Sequence, residues 1–161
     1  MVIPLNKHRD LMHTVMRVWA TRSVFDEFGM FTVCCDIWGD KEFMSLLMDI
    51  TNGRRMADKL SPPDECAATL LYLIRMDGAG VVKNDPEGLS RVRSAQVTLV
   101  SRLSAGLLIE SGLSPMDYVH LTSPDGADEG VMRQLAEGLE AVAREMESGR
   151  AERERAKQGI S

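Results

Sequence analysis

Three cysteines, Cys34, Cys35 and Cys66, and three histidines, His8, His13 and His120, are the side chains here best suited to nucleophilic, redox or metal chemistry near neutral pH. Their spacing argues against most of that chemistry. There is no Cys-x-x-Cys or His-x-x-x-His pair, and His8 and His13, five apart on a helix, diverge in direction, so no metal site is expected. Cys34 and Cys35 sit in FTVCCDIW, apolar on both flanks, where a thiol behaves as a small buried hydrophobe. Adjacent Cys34 and Cys35 also invite a redox-sensor reading, which those flanks disfavour; Cys66 falls near a predicted helix N-terminus, which favours the thiolate and makes it a redox candidate, with a structural buried thiol as the favoured reading. A Cys-His pair for nucleophilic catalysis can be assembled from any such set. No Gly-x-Ser-x-Gly elbow, phosphate loop or dinucleotide motif accompanies it, and Gly78, Gly80 and Gly88 lack the needed spacing. The expectation is a protein that is not an enzyme and carries no cofactor.

A different chemistry is carried by cations. Arg54, Arg55, Lys59, Arg75, Lys83, Arg91 and Arg93 place seven positive charges within forty residues, enough to neutralise several phosphates. The chain as a whole is acidic, with a net charge of −5, and residues 122 to 161 hold six bases against nine acids. Eleven methionines are the most unusual feature of the composition. Met12, Met16, Met44 and Met48 fall between the opening helix and the middle of the chain, where flexible thioethers could line a pocket for a small-molecule effector; filler of an ordinary core is the other reading.

These side chains must be positioned by a chain of 161 residues, 44% hydrophobic and 27% charged, long enough for one domain with a real core. No apolar run suits a membrane span, and the charged start MVIPLNKHRDLMH does not suit a signal peptide. With an odd number of cysteines, a reducing cytoplasmic setting is expected. Residues 7 to 21 carry Leu11, Val15, Val18 and Trp19 at helical spacing. Ser23 and Asp26 suggest a short capped turn through Phe28 that Gly29 ends, and residues 31 to 38 fit either strand or helix. Phe43, Leu46, Leu47 and Ile50 form one face of a helix opened by Asp40 and closed by Asn52-Gly53. A very short helix, RRMADKL, is expected next.

Ser61-Pro62-Pro63-Asp64 is the clearest helix start in the chain: Ser suits the cap, Pro the first turn and the acid the positive end of the dipole. That helix should run to Asp77-Gly78. Beyond it, GVVK and SAQVTL read as two strands of a hairpin, favoured by Val81, Val82, Val97 and Thr98; Leu89, Val92, Gln96 and Val100 keep a helical reading open. A long closing helix from about residue 128 to 157 carries Val131, Leu135, Leu139, Val142 and Met146 on one stripe.

The order helix, short helix, turn, longer helix and hairpin is that of a winged helix-turn-helix. The segment RRMADKLSPPDECAATLLYLIRMDGAGVVKNDPEG resembles the MarR family of bacterial transcription regulators: a short helix ending Ala-Asp-Lys-Leu, a turn, a helix ending Leu-x-x-Ile-x-x-x-Gly, and an acidic wing tip at Asp85-Pro86-Glu87. The resemblance implies a mainly α fold with a small β-hairpin wing. Residues 1–40 and 101–161 would supply dimerisation helices, and residues 41–100 the winged helix-turn-helix, within a single domain 1–161. It also implies a homodimer on a pseudo-palindromic site in double-stranded DNA, responsive to a ligand or to thiol oxidation. Pro63, Asp64, Thr69 and Arg75 would lie on the reading helix, Arg54 and Arg55 on the bracing helix, and Lys83, Arg91 and Arg93 on the wing. A second class of function stands beside it: a helical protein-protein adaptor, supported by the acidic balance, by Asp64 and Glu65 at the start of the supposed reading helix, and by the closing stripe.

Overall fold

The computed structural model describes residues 2–21, 23–80 and 84–159. Among these residues seven helices follow in order: α1 (Leu5–Thr21), α2 (Val24–Trp38), α3 (Asp40–Thr51), α4 (Pro63–Gly78), α5 (Pro86–Ser111), α6 (Pro115–Thr122) and α7 (Glu129–Lys157). No strand occurs among the described residues.

Local chemistry explains most of the boundaries. The Ser23 hydroxyl accepts from Phe25 N at 3.3 Å, Asp85 from Gly88 N at 3.0 Å, Ser114 from Asp117 N at 3.2 Å and Asp128 from Val131 N at 3.0 Å, each satisfying a donor that a helix start leaves unpaired. Pro63, Pro86 and Pro115 fit the first turns of α4, α5 and α6, where no amide hydrogen is needed. Gly39 alone joins α2 to α3; its φ of 99° makes the corner.

α4 is the centre of the assembly. It packs most extensively on α5 and also against α3 and α2. Cys66, Ala67, Ala68, Thr69, Leu70 and Leu71 are six consecutive buried residues, so the middle of α4 has no exposed face. A helical stretch apolar all round belongs in the interior. Burial of Leu70, Leu71 and Ile74 contributes about 1.5–3 kcal/mol each. Around this axis α1 packs on α2, with smaller contacts to α5 and α6, and α7 packs on α5 and α6. One hydrophobic cluster draws on every helix, from Leu11 in α1 through Met30, Phe43, Leu70, Leu103 and Tyr118 to Met146 in α7. Val119, Met132 and Ala136 form a satellite between α6 and α7.

The expected mainly α fold with a β-hairpin wing is corrected: the described residues are all-helical apart from turns and irregular chain. Residues 86 to 111 form one helix, so SAQVTL is helical; Val81, Val82 and Lys83, the bulk of the first expected strand, lie outside the described residues. The reason is tertiary. Gln96, Leu99 and Leu103 recur at helical spacing and bury against α4, which outweighs the β preference of Val97 and Thr98. Without a wing, no winged helix-turn-helix is present among the described residues.

Three smaller expectations change with it. RRMADKL is not a helix: residues 52 to 62 are turns and irregular chain, held by Asp58, whose carboxylate accepts from Leu60 N at 2.8 Å. The turn after Ser23 does not stop at Gly29 but continues as α2 through residues 31 to 38. On α7 the inward stripe is Met132, Ala136, Ala143 and Met146, while Val131 and Leu135 face outward.

Candidate functional site

The residues expected to touch DNA, to sense oxidation or to line an effector pocket are dispersed by the structure into three situations. Pro63 and Thr69 are buried; Pro63 packs against Gly106 of α5, and the Thr69 hydroxyl accepts from Ala57 N at 3.3 Å. Asp64 is half-buried and its carboxylate accepts from Glu65 N at 2.9 Å. Residues 63 to 76 are thus an interior segment and not an outward probe, which overturns their expected place in a major groove.

The cations form the second group. Arg54 pairs with Asp49 at 3.3 Å, Arg93 with Asp77 at 3.4 Å, and Arg75 with Glu27 while lying 5.8 Å over the Phe31 ring. Each has its charge engaged by a carboxylate of the same chain, so phosphate would have to compete for it. Arg55 and Arg91 are exposed and have no carboxylate partner among the described residues. Lys83 lies outside the described residues.

The thiols and methionines make up the third. Cys66 is fully buried, and burial pushes its thiol up to about 12, overriding any benefit from the helix start; its Sγ faces the Ser61 carbonyl at 3.7 Å. A thiol in that state does not serve as a redox sensor. Burial also raises Cys34 and Cys35, the latter with help from the Asp40 carboxylate. Met12 is in the core beside Ser104, whereas Met16, Met44 and Met48 are about half exposed. The four therefore do not enclose a pocket. No group of three or more His, Cys, Asp and Glu side chains among the described residues could hold a metal ion, and no helix there is long and apolar enough to cross a membrane.

What the structure does bring together is an apolar face at the corner of α2 and α3. Phe28, Phe31, Thr32, Val33 and Cys35 of α2 meet Met44 of α3 around an open groove of about 440 Å³, with Asp36 and Asp40 on its edge. Phe25, one turn before Phe28, is 89% exposed, and Val24 and Met48 continue the apolar surface at either end. The groove is held rigidly from below. Trp38 stacks on Phe43 with ring centroids 6.0 Å apart, and Phe31 meets the same Phe43 ring at 6.0 Å. Gly39 fixes the corner, with the Glu42 carboxylate folded over it so that a Cβ there would clash.

Sequence reasoning found Met44 and Met48 but missed Phe25, Phe28, Phe31 and Thr32. The signal was present: VFDEFGMFTVCCDIW places apolar residues on both sides of a helix, more than one buried face can use. Stopping the element at Gly29 hid it. A second open hollow of about 340 Å³, lined by Pro86, Leu89, Ser90 and Arg93, is a dent on α5 alone. Comparison with protein-family models, with curated proteins and with solved structures finds no match for the chain.

Proposed function

We propose that the protein is a non-enzymatic interaction module, a helical adaptor that engages another macromolecule through the α2–α3 face. One observation carries the reading: Phe25 and Phe28 stand 89% and 68% exposed beside half-exposed Met44 and Met48, on two helices whose other faces are firmly packed. With about 150–250 Å² available per aromatic side chain, this surface reaches the several hundred Å² at which an apolar patch on a monomer marks a contact site. Aromatic and methionine side chains are also the types enriched at the centres of protein interfaces.

The MarR-like regulator reading lacks such support, since the segment meant to read bases is interior and three of its cations are paired within the chain. A photocrosslinking residue placed at Phe25, with a second at Val131 on α7 as control, tests the adaptor reading in the source cells. A discrete adduct from position 25 that disappears on adding Met44→Asp supports it. Equal adducts from both positions, or none, reject it. Steeply salt-dependent binding of duplex DNA that Arg55→Ala and Arg91→Ala abolish would return the regulator reading in its place.

A further inference from the structure

From the charge around the groove we infer that its occupant is a basic amphipathic helix of a partner protein; this rests on the interaction-module reading above. Residues 24 to 51, which build the face, contain six acids and one base, Lys41. The framework neutralises four of the six: Arg17 approaches Asp26 at 3.9 Å, Arg75 holds Glu27, Lys7 holds Asp36 and Arg54 holds Asp49 at 3.3 Å. Asp40 and Glu42 have no cationic partner among the described residues. Asp40 lines the groove itself and is exposed there. A cation from outside is the natural complement to that carboxylate.

The same charge argues against other occupants. A second copy docked face to face would bring another Asp40 and Glu42 toward the first pair, and like charges across an interface are disfavoured. An anionic lipid surface would meet the same repulsion. The shape favours a helix. Two helices meeting at one glycine leave a trough with Phe28 and Met44 on its walls, suited to apolar anchors at i, i+3 or i+4, and i+7, and the flexible Met44 and Met48 can adjust to the anchor.

Two dye-labelled helical peptides of the same apolar face test this, one flanked by Lys and Arg, the other by Glu, each titrated with the full chain in fluorescence anisotropy. The basic peptide should bind saturably, at least about tenfold tighter than the acidic one. Its affinity should fall severalfold with Asp40→Asn, and further with Asp40→Lys or in 0.5 M salt, taken as about a 4 Å screening length; Phe28→Ser should abolish it. Equal binding of the two peptides, lost with Phe28→Ser, would overturn the charge inference while leaving the module reading intact. If neither peptide binds and sedimentation shows a dimer that Phe28→Ser dissociates, a second copy covers the face and the inference fails. A monomer that binds neither peptide defeats both the inference and the reading beneath it.

Discussion

His8 Nδ1 lies 3.0 Å from the Tyr118 hydroxyl, joining α1 to α6 across 110 residues of chain. Both side chains are almost fully buried, and their rings meet edge to face with centroids 5.6 Å apart. Burial holds the His8 pKa below its ordinary 6.5. As pH falls through 6.5 the unfolded chain therefore protonates His8 while the folded protein keeps it neutral. The unfolded state then binds more protons, and stability drops with pH until the lowered folded pKa is reached. Glu110 works the other way, because burial raises its carboxyl and the folded state takes up that proton first. His8→Phe should therefore lose less stability than the wild type between pH 7.5 and 5.5, chosen to bracket the usual histidine range of about 6.5, when urea midpoints are compared. Equal losses would show that His8 does not contribute.

Two glycines in helices should respond differently to alanine. Gly138 in α7 is exposed and a Cβ there meets nothing within 4 Å, so Gly138→Ala should stabilise by about 0.5–1 kcal/mol, read as a rise in Tm of roughly 1–4 °C. At Gly106 a Cβ would lie 3.1 Å from Pro63 Cγ, where a rigid ring on α4 leaves little room. Gly106→Ala should gain nothing, and Gly106→Leu should cost about 1–3 kcal/mol or more through overpacking. A neutral Gly106→Leu would mean that α4 and α5 can separate at that point.

Gln96 is completely buried on α5; its amide donates to the Leu73 carbonyl of α4 at 3.2 Å, but its own carbonyl oxygen has no partner. An unmet buried acceptor costs about 1–3 kcal/mol. Gln96→Met, similar in volume and without that oxygen, should leave stability unchanged or raise it by about 1 kcal/mol. Gln96→Glu should destabilise sharply by burying a charge. Chemical denaturation of the three proteins decides; a large loss in the methionine variant would reveal an ordered water on that oxygen.

The thiols should react in a fixed order. Cys34 and Cys66 are entirely enclosed, whereas Cys35 borders the α2–α3 groove, and burial raises all three. Native protein treated with iodoacetamide at neutral pH should label Cys35 first and slowly, with Cys34 and Cys66 labelled only when the chain is unfolded. Prompt native labelling of Cys66 would contradict its enclosure between α4 and the Ser61 carbonyl.

Where short-range chemistry decides an element, the sequence was readable. Pro63 and Asp64 announced α4, Asp128 announced α7, and Phe43, Leu46, Leu47 and Ile50 marked the buried face of α3. Where packing decides, it was not. Val97 and Thr98 favour a strand locally, yet Asp85, Pro86 and the Leu89, Val92, Gln96 spacing begin a helix that α4 draws in. The more telling misreading concerned α4, whose run from Cys66 to Leu71 leaves no side for water or for a nucleic acid. The resemblance to a reading helix lay in its order among neighbours, which says nothing about which way it faces. The candidate groove was half legible, through Met44 and Met48, because its other wall required α2 to continue past Gly29.

The enclosed position of α4 bears on how the protein is made. Its partners lie both upstream, in α2 and α3, and downstream, in α5. During synthesis the first three helices emerge before anything can cover their inner apolar sides, and they have no complete core until residues beyond about 100 leave the ribosome. The nascent amino-terminal third is therefore the stretch in greatest need of a chaperone, and slowing translation before α5 would lengthen its exposure.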